Sequence, residues 1–282
     1  MGLGGYCTLD YLHLVEHMVG SMSPDLVIVG CYFGNDFLEC QTAVYRQGRY
    51  ARFRADDAVG TAEEKPVAPA GSTISRVRGW LSGNSMLYGL LKSRLRNYVH
   101  WQESLQQARG TNADDMMVWK DPSRLSIQTI LTPRWRLQAL DPDSADVREG
   151  KRLAEEAFRA MHASLAAKGI PLLVVFIPTK ELVYRPFVEQ DPGVDVPRSL
   201  SDLWMAEEDA RESLRTFLER EGIPVVDALP ALRQRLESGT PVYPLGFDGH
   251  PVAAGYAAIA DAALGHPFVN HAGGTSGNGE QP

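Results

Sequence analysis

Two short apolar runs constrain this chain more than any other feature. Residues 26–33, Leu-Val-Ile-Val-Gly-Cys-Tyr-Phe, follow Pro24-Asp25 without a polar interruption and are rich in β-branched and aromatic side chains. That pattern predicts a strand buried on both faces of a parallel sheet. Residues 171–178, Pro-Leu-Leu-Val-Val-Phe-Ile-Pro, read as another strand, and Ile-Pro-Val-Val-Asp-Ala at 223–228 as a further one. Helical spacing fills the intervals. A helix at 8–19 has Thr8 as its N-cap, Leu9, Leu12, Val15 and Val19 on one stripe, and Gly20 as its stop. Others are expected at about 145–168, closed by Lys168-Gly169, at 200–221, closed by Gly222, at 228–238 and at 251–264. Strand and helix in alternation specify an α/β fold, a three-layer α/β/α arrangement on a parallel sheet whose sites lie at the carboxyl ends of the strands. Asn35, Thr179-Lys180 and Asp227 fall just past such ends.

The alternation is interrupted. From about 40 to 72 the chain turns polar and contains Gly and Pro; 74–107 reads as helical with a break around 79–84; 108–144 returns to loop chemistry with Asp121-Pro122, Thr132-Pro133 and Asp141-Pro142. The whole stretch from about 40 to 144 is expected to be an insertion on one domain covering 1–265, with 266–282 a disordered tail, Gly-rich from His271 onward. A hydrophobic content of 44% in 282 residues suits a globular core. The formal charge of -7 arises from scattered residues, with a modest basic excess between Arg76 and Arg96, so no nucleic-acid footprint is expected. Cys7, Cys31 and Cys40 show no metal-type spacing and leave one unpaired in any disulfide scheme. There is no basic segment leading into an apolar stretch, and nothing approaches the roughly 20 apolar residues of a membrane span. A chain soluble as written, with no membrane segment, follows; its compartment stays open.

The chemistry concentrates in Pro-Leu-Gly-Phe-Asp-Gly-His, residues 244–250, just ahead of an Ala-rich helix. Asp248 and His250 suit an acid and the base it orients, although a polar helix start capped by Asp248 uses the same residues. Asn35-Asp36 suits a site or a plain strand-to-loop turn. His13-Leu14-Val15-Glu16-His17 fits the H-x-x-E-H form of inverted zinc peptidases, against which stands the frequency of i, i+4 histidines on solvated helix faces. Cys7 or Cys40 as a thiol nucleophile, and Lys180 as a contact for an anionic substrate or an exposed lysine at a helix start, complete the candidates.

The segments Gly-Gly-Tyr-Cys-Thr-Leu-Asp-Tyr-Leu (4–12), Pro-Asp-Leu-Val-Ile-Val-Gly-Cys-Tyr-Phe-Gly-Asn-Asp-Phe (24–37), Val-Val-Phe-Ile-Pro-Thr-Lys-Glu-Leu-Val-Tyr (174–184), Pro-Val-Val-Asp-Ala-Leu-Pro-Ala-Leu-Arg-Gln-Arg-Leu (224–236) and 243–264 together resemble the SGNH/GDSL hydrolase superfamily across 4–265, apart from the insertion. Within it, Ile-Pro-Thr-Lys and the Asp-x-His form are similar to bacterial members related to the alginate O-acetyltransferases. The resemblance implies His250 as general base, Asp248 as its orienting acid, Asn35 as oxyanion-hole amide and Gly5 as oxyanion-hole backbone donor. It implies ester cleavage or acyl transfer on a small-molecule or carbohydrate ester, with no cofactor. Two departures stand out. No Gly-Asp-Ser occurs; Ser21 and Ser23 precede a strand, and Ser82 and Ser85 lie in the insertion, so the serine nucleophile and two further core strands are expected from an in-frame extension upstream of Met1. The pair is also Asp-x-His rather than the commoner Asp-x-x-His. A non-catalytic carbohydrate-binding or scaffold member of the same fold is the alternative.

Overall fold

The computed structural model describes residues 6–55, 112–124 and 127–272. Helix α1 (Thr8–His17) and the single turn α2 (Val19–Met22) lead into β1 (Val27–Tyr32), followed by α3 (Asp36–Gln41). After β2 (Met117–Lys120) and β3 (Gln128–Leu131) come α4 (Pro133–Gln138), α5 (Ala145–Ala166), β4 (Leu172–Ile177), α6 (Lys180–Glu189), α7 (Arg198–Arg220), β5 (Val225–Asp227), α8 (Leu229–Glu237), α9 (Ala253–Leu264) and α10 (Pro267–Ala272). Strands β1, β4 and β5 form a parallel sheet in that order, Val29 opposite Val174 and Val174 opposite Val225. Helices flank this sheet, giving the mixed α/β class that the alternation specifies, compatible with three α/β/α layers.

Helix α5 is the main bridge on one side. It packs against α1 and α3, and Gly150 lets it approach α3 closely, since a Cβ there would stand 1.9 Å from the Phe37 carbonyl oxygen. Toward the other end of the chain, Gly255 seats the start of α9 against Val242, where an added Cβ would meet the Val242 carbonyl at 2.4 Å and where Val252 N–H already donates to that oxygen at 2.9 Å.

Several sequence expectations change. Strand β1 is not buried on both faces: Val29 and Cys31, on one face, are buried, but Ile28, on the other, is 45% exposed. Residues 117–131, expected as loop, contain the antiparallel pair β2–β3, with Trp119, Ile130 and Leu131 in the core. The Asp121 carboxylate turns the chain after β2 by accepting from the Ser123 and Arg124 amides, the role Asp commonly plays in turns. Thr132-Pro133 starts a helix rather than a loop, with Pro133 in its first turn, where the missing N–H costs no bond. The connection after 178 is the helix α6, and a separate short helix, α10, spans Pro267–Ala272 where a tail is expected. The helical expectation at 74–107, Ser82, Ser85 and Gly5 lie outside the described residues. No described helix is long and apolar enough to cross a membrane.

Candidate active site

Strand β1 ends in a turn built to aim side chains. Asp36 accepts from the Tyr32 amide at 2.8 Å, closing Gly34-Asn35-Asp36 into the start of α3. Tyr32 folds back over this turn, and a Cβ at Gly34 would lie 2.3 Å from its phenol ring, so a larger residue there would displace that ring. Asp36 is buried, and burial raises its pKa well above the usual carboxylate range. It therefore serves the turn.

Strand β4 ends more rigidly. Thr179 caps α6 by accepting from Leu182 N–H, while its own N–H and hydroxyl both donate to Glu207. Burial pushes Glu207 up to about 7. The next residue, Lys180, is fully buried, which corrects the exposed lysine of the sequence reading. Its ammonium donates to the carbonyls of Gly246 at 2.7 Å and Asp248 at 3.2 Å, so it clamps the 244–250 loop onto the carboxyl end of the sheet. Burial lowers its pKa to about 8, with Glu181 and Asp248 resisting and Arg136 assisting.

On that clamped loop Asp248 and His250 meet. Asp248 Oδ1 lies 2.7 Å from His250 Nδ1 and also accepts from His250 N–H at 3.0 Å. The shortened Asp-x-His spacing thus allows the contact: the carboxylate reaches the ring and the backbone of the residue two positions on. Helix α9 begins three residues after His250, with Val252 as its N-cap, so Asp248 caps no helix. The hydrogen bond raises the His250 pKa and lowers that of Asp248; Glu39 adds to the histidine's rise and Arg136 opposes it. Both side chains stay open to solvent, His250 at 68% and Asp248 at 61%. A carboxylate on Nδ1 leaves Nε2 as the free basic nitrogen.

Asn35 sits on the same end of the sheet, and its amide donates to Glu39 one turn along α3 rather than standing free. Glu39 links the two halves, since its charge also acts on His250. Tyr32 adds a direct bridge: its ring lies 6.2 Å from the imidazole and its hydroxyl donates to the Gly249 carbonyl at 3.4 Å.

The other candidates separate from this site. Ser21 and Ser23 precede β1 and so lie at its amino end. Cys7 and Cys40 are fully buried, and a hydrogen bond with the Cys40 thiol, followed by burial, pushes the Cys7 thiol far up, away from thiolate. His13 and His17 are neighbours at 4.4 Å between ring centroids, but Glu16 accepts twice from Arg52, at 2.6 and 2.8 Å. Among the described residues no three His, Cys, Asp or Glu side chains cluster to hold a metal ion. Sequence reasoning missed Lys180 as a clamp, and it missed Tyr32, Glu39 and Arg136 altogether; only the position of Lys180 and Asn35 just past strand ends hinted at their surroundings.

Compared with known proteins, the chain matches no family model, no curated protein and no solved structure.

Proposed function

We propose that this chain carries the general-base half of an SGNH/GDSL-type site acting on ester bonds, as an esterase or an O-acyltransferase, with a serine nucleophile supplied from outside the sequence given. The observation that supports it is the Asp248–His250 contact of 2.7 Å on a loop held at the carboxyl end of a parallel sheet. In this reading Asp248 fixes the imidazole tautomer and stabilises the imidazolium, and Nε2 takes a proton from a hydroxyl and returns it to the leaving alcohol. Gly5 and Asn35 are the proposed oxyanion donors, Asn35 once released from Glu39. Acyl carbohydrate is the proposed substrate class.

Hydrolysis of p-nitrophenyl acetate tests this. Without a nucleophile the base activates water only, so the expected result is slow turnover, lost in His250→Ala, without labelling by a fluorophosphonate probe. The rate should rise with pH through the His250 pKa, which its Asp248 bond holds above the ordinary histidine value. Equal rates for His250→Ala and the unaltered chain across that range would overturn the catalytic reading. The second reading, a carbohydrate-binding member without chemistry, draws on the Asn35 amide being taken up by Glu39.

A further inference from the structure

Arg136 and Arg211 are equally buried, at 6% exposure each, and their partners differ. Arg211 forms an ion pair with Asp227. Arg136 has no carboxylate partner among the described residues, and its Nε is buried without a hydrogen bond. Buried guanidinium groups are normally paired, because desolvating an unmatched charge is costly.

Its surroundings place this charge at the candidate base. The guanidinium lies 5.7 Å from the Tyr32 ring centroid and 4.6 Å from that of Trp135. Its Nη2 lies against Gly249, where an added Cβ would come within 2.1 Å of it, so the guanidinium sits directly beside the residue between Asp248 and His250. The neighbouring carboxylates bond other groups: Asp248 bonds His250, Glu39 bonds Asn35, and Glu181 Oε1 accepts from the Thr132 amide and hydroxyl while its Oε2, buried without a hydrogen bond, makes none to Arg136. A single negative charge on a ligand would match the guanidinium of Arg136, while the three carboxylates would oppose further negative charge. A planar guanidinium also fits a carboxylate through two parallel hydrogen bonds. Trp135, stacked on the same group and 59% exposed, offers a ring to the body of such a ligand.

We propose that Arg136 anchors a carboxylate carried by the substrate of the Asp248–His250 site, an inference that rests on the reading of that site given above. It is a specificity residue: it selects acidic over neutral substrates and takes no part in proton transfer.

Titration of the full chain with sodium acetate, followed by the NMR signals of the His250 imidazole, tests this without requiring turnover. Acetate should shift those signals saturably and raise the His250 pKa, because it offsets Arg136, which now lowers it alongside the opposing Asp248 and Glu39. Acetamide, the neutral analogue, should give no saturable shift. Arg136→Gln and the charge-retaining Arg136→Lys should each weaken acetate by about tenfold or more, since neither restores the two parallel bonds. Acetate that does not saturate, acetamide that binds equally, inorganic phosphate that binds more tightly than acetate, or an Arg136→Lys variant that binds as well as the original would overturn the anchor. If Arg136→Gln fails to fold, the acetate and acetamide comparison on the unaltered chain still decides. Calorimetric titration of His250→Ala with acetate separates the two ideas: retained binding with unchanged ester hydrolysis sinks the base and leaves the anchor.

Discussion

Strands β1 and β4 lie side by side in register, and their surroundings are opposite. Every residue of β4 from Leu172 to Phe176 is buried, and the strand is paired on both edges. Strand β1 has one partner among the described residues and exposes Ile28. The difference carries through to the candidate site. From β4 the chain runs into Thr179 and Lys180, fully buried and bonded to Glu207 and to the 246–248 carbonyls. From β1 it runs into Tyr32, Asn35 and Glu39, only partly buried. The site thus has a fixed wall that holds the Asp-Gly-His loop and a more solvated wall that faces it.

The largest effect expected from this contrast is at Phe176. Its ring packs edge-on to Phe33 at 5.0 Å and under the Arg215 guanidinium, in a strand with no slack on either face. Phe176→Ala should cost about 3–5 kcal/mol in urea unfolding, the range for a buried aromatic truncated in a core. A cost under about 1 kcal/mol, typical of surface changes, would show that the central strand is less tightly packed than its burial indicates.

Lys180 comes next. Its folded pKa near 8 lies below the ordinary value of 10.5, so between those pH values the unfolded chain binds more protons and stability should rise with pH. The destabilising effect of burying the ammonium is fully present below pH 8. Lys180→Met removes that slope. It also leaves the Gly246 and Asp248 carbonyls without their donor, a loss of about 1–3 kcal/mol that near pH 7 opposes the gain from removing the buried charge and stands alone only above about pH 10. With the loop loosened, the His250 pKa should fall toward the ordinary histidine value, which NMR titration reads directly. An unchanged His250 titration together with an unchanged stability slope would show that Lys180 holds nothing the dyad needs.

The parts that were legible in the sequence are those written locally. Helix α5 announces itself through Ser144, whose hydroxyl accepts from Val147 N–H, and Asp248 and His250 meet because two residues of backbone suffice. What was hidden depends on distant partners or on conflicting local signals. Trp119 and Ile130 belong to strands flanked by Asp121-Pro122 and Thr132-Pro133, and those dipeptides read as loop. Helix α6 contains Pro186, which argues against a helix although Thr179 caps it well. Nothing local marks Lys180 as buried, since the carbonyls that cover it come from residues 66 and 68 positions away. Arg136 was invisible for the same reason: its partners Tyr32 and Gly249 come from both ends of the described chain.

The smallest effect sharpens the comparison most directly. Ile28 occupies β1 opposite Leu173, yet Leu173 is fully buried and Ile28 is 45% exposed. Threonine keeps the β-branch that suits a strand and gives up little burial at such a site. Ile28→Thr should therefore change unfolding free energy by no more than about 0.5 kcal/mol. Leu173→Ala, at the paired position, should cost about 2–5 kcal/mol. The ratio matters more than either value, because both residues sit at the same level of the same sheet, one on the strand with a single described partner and the other on the strand paired at both edges. If Ile28→Thr instead costs more than about 1.5 kcal/mol, as a fully buried side chain would, something covers that face of β1 in solution. The two walls of the candidate site would then be equally fixed.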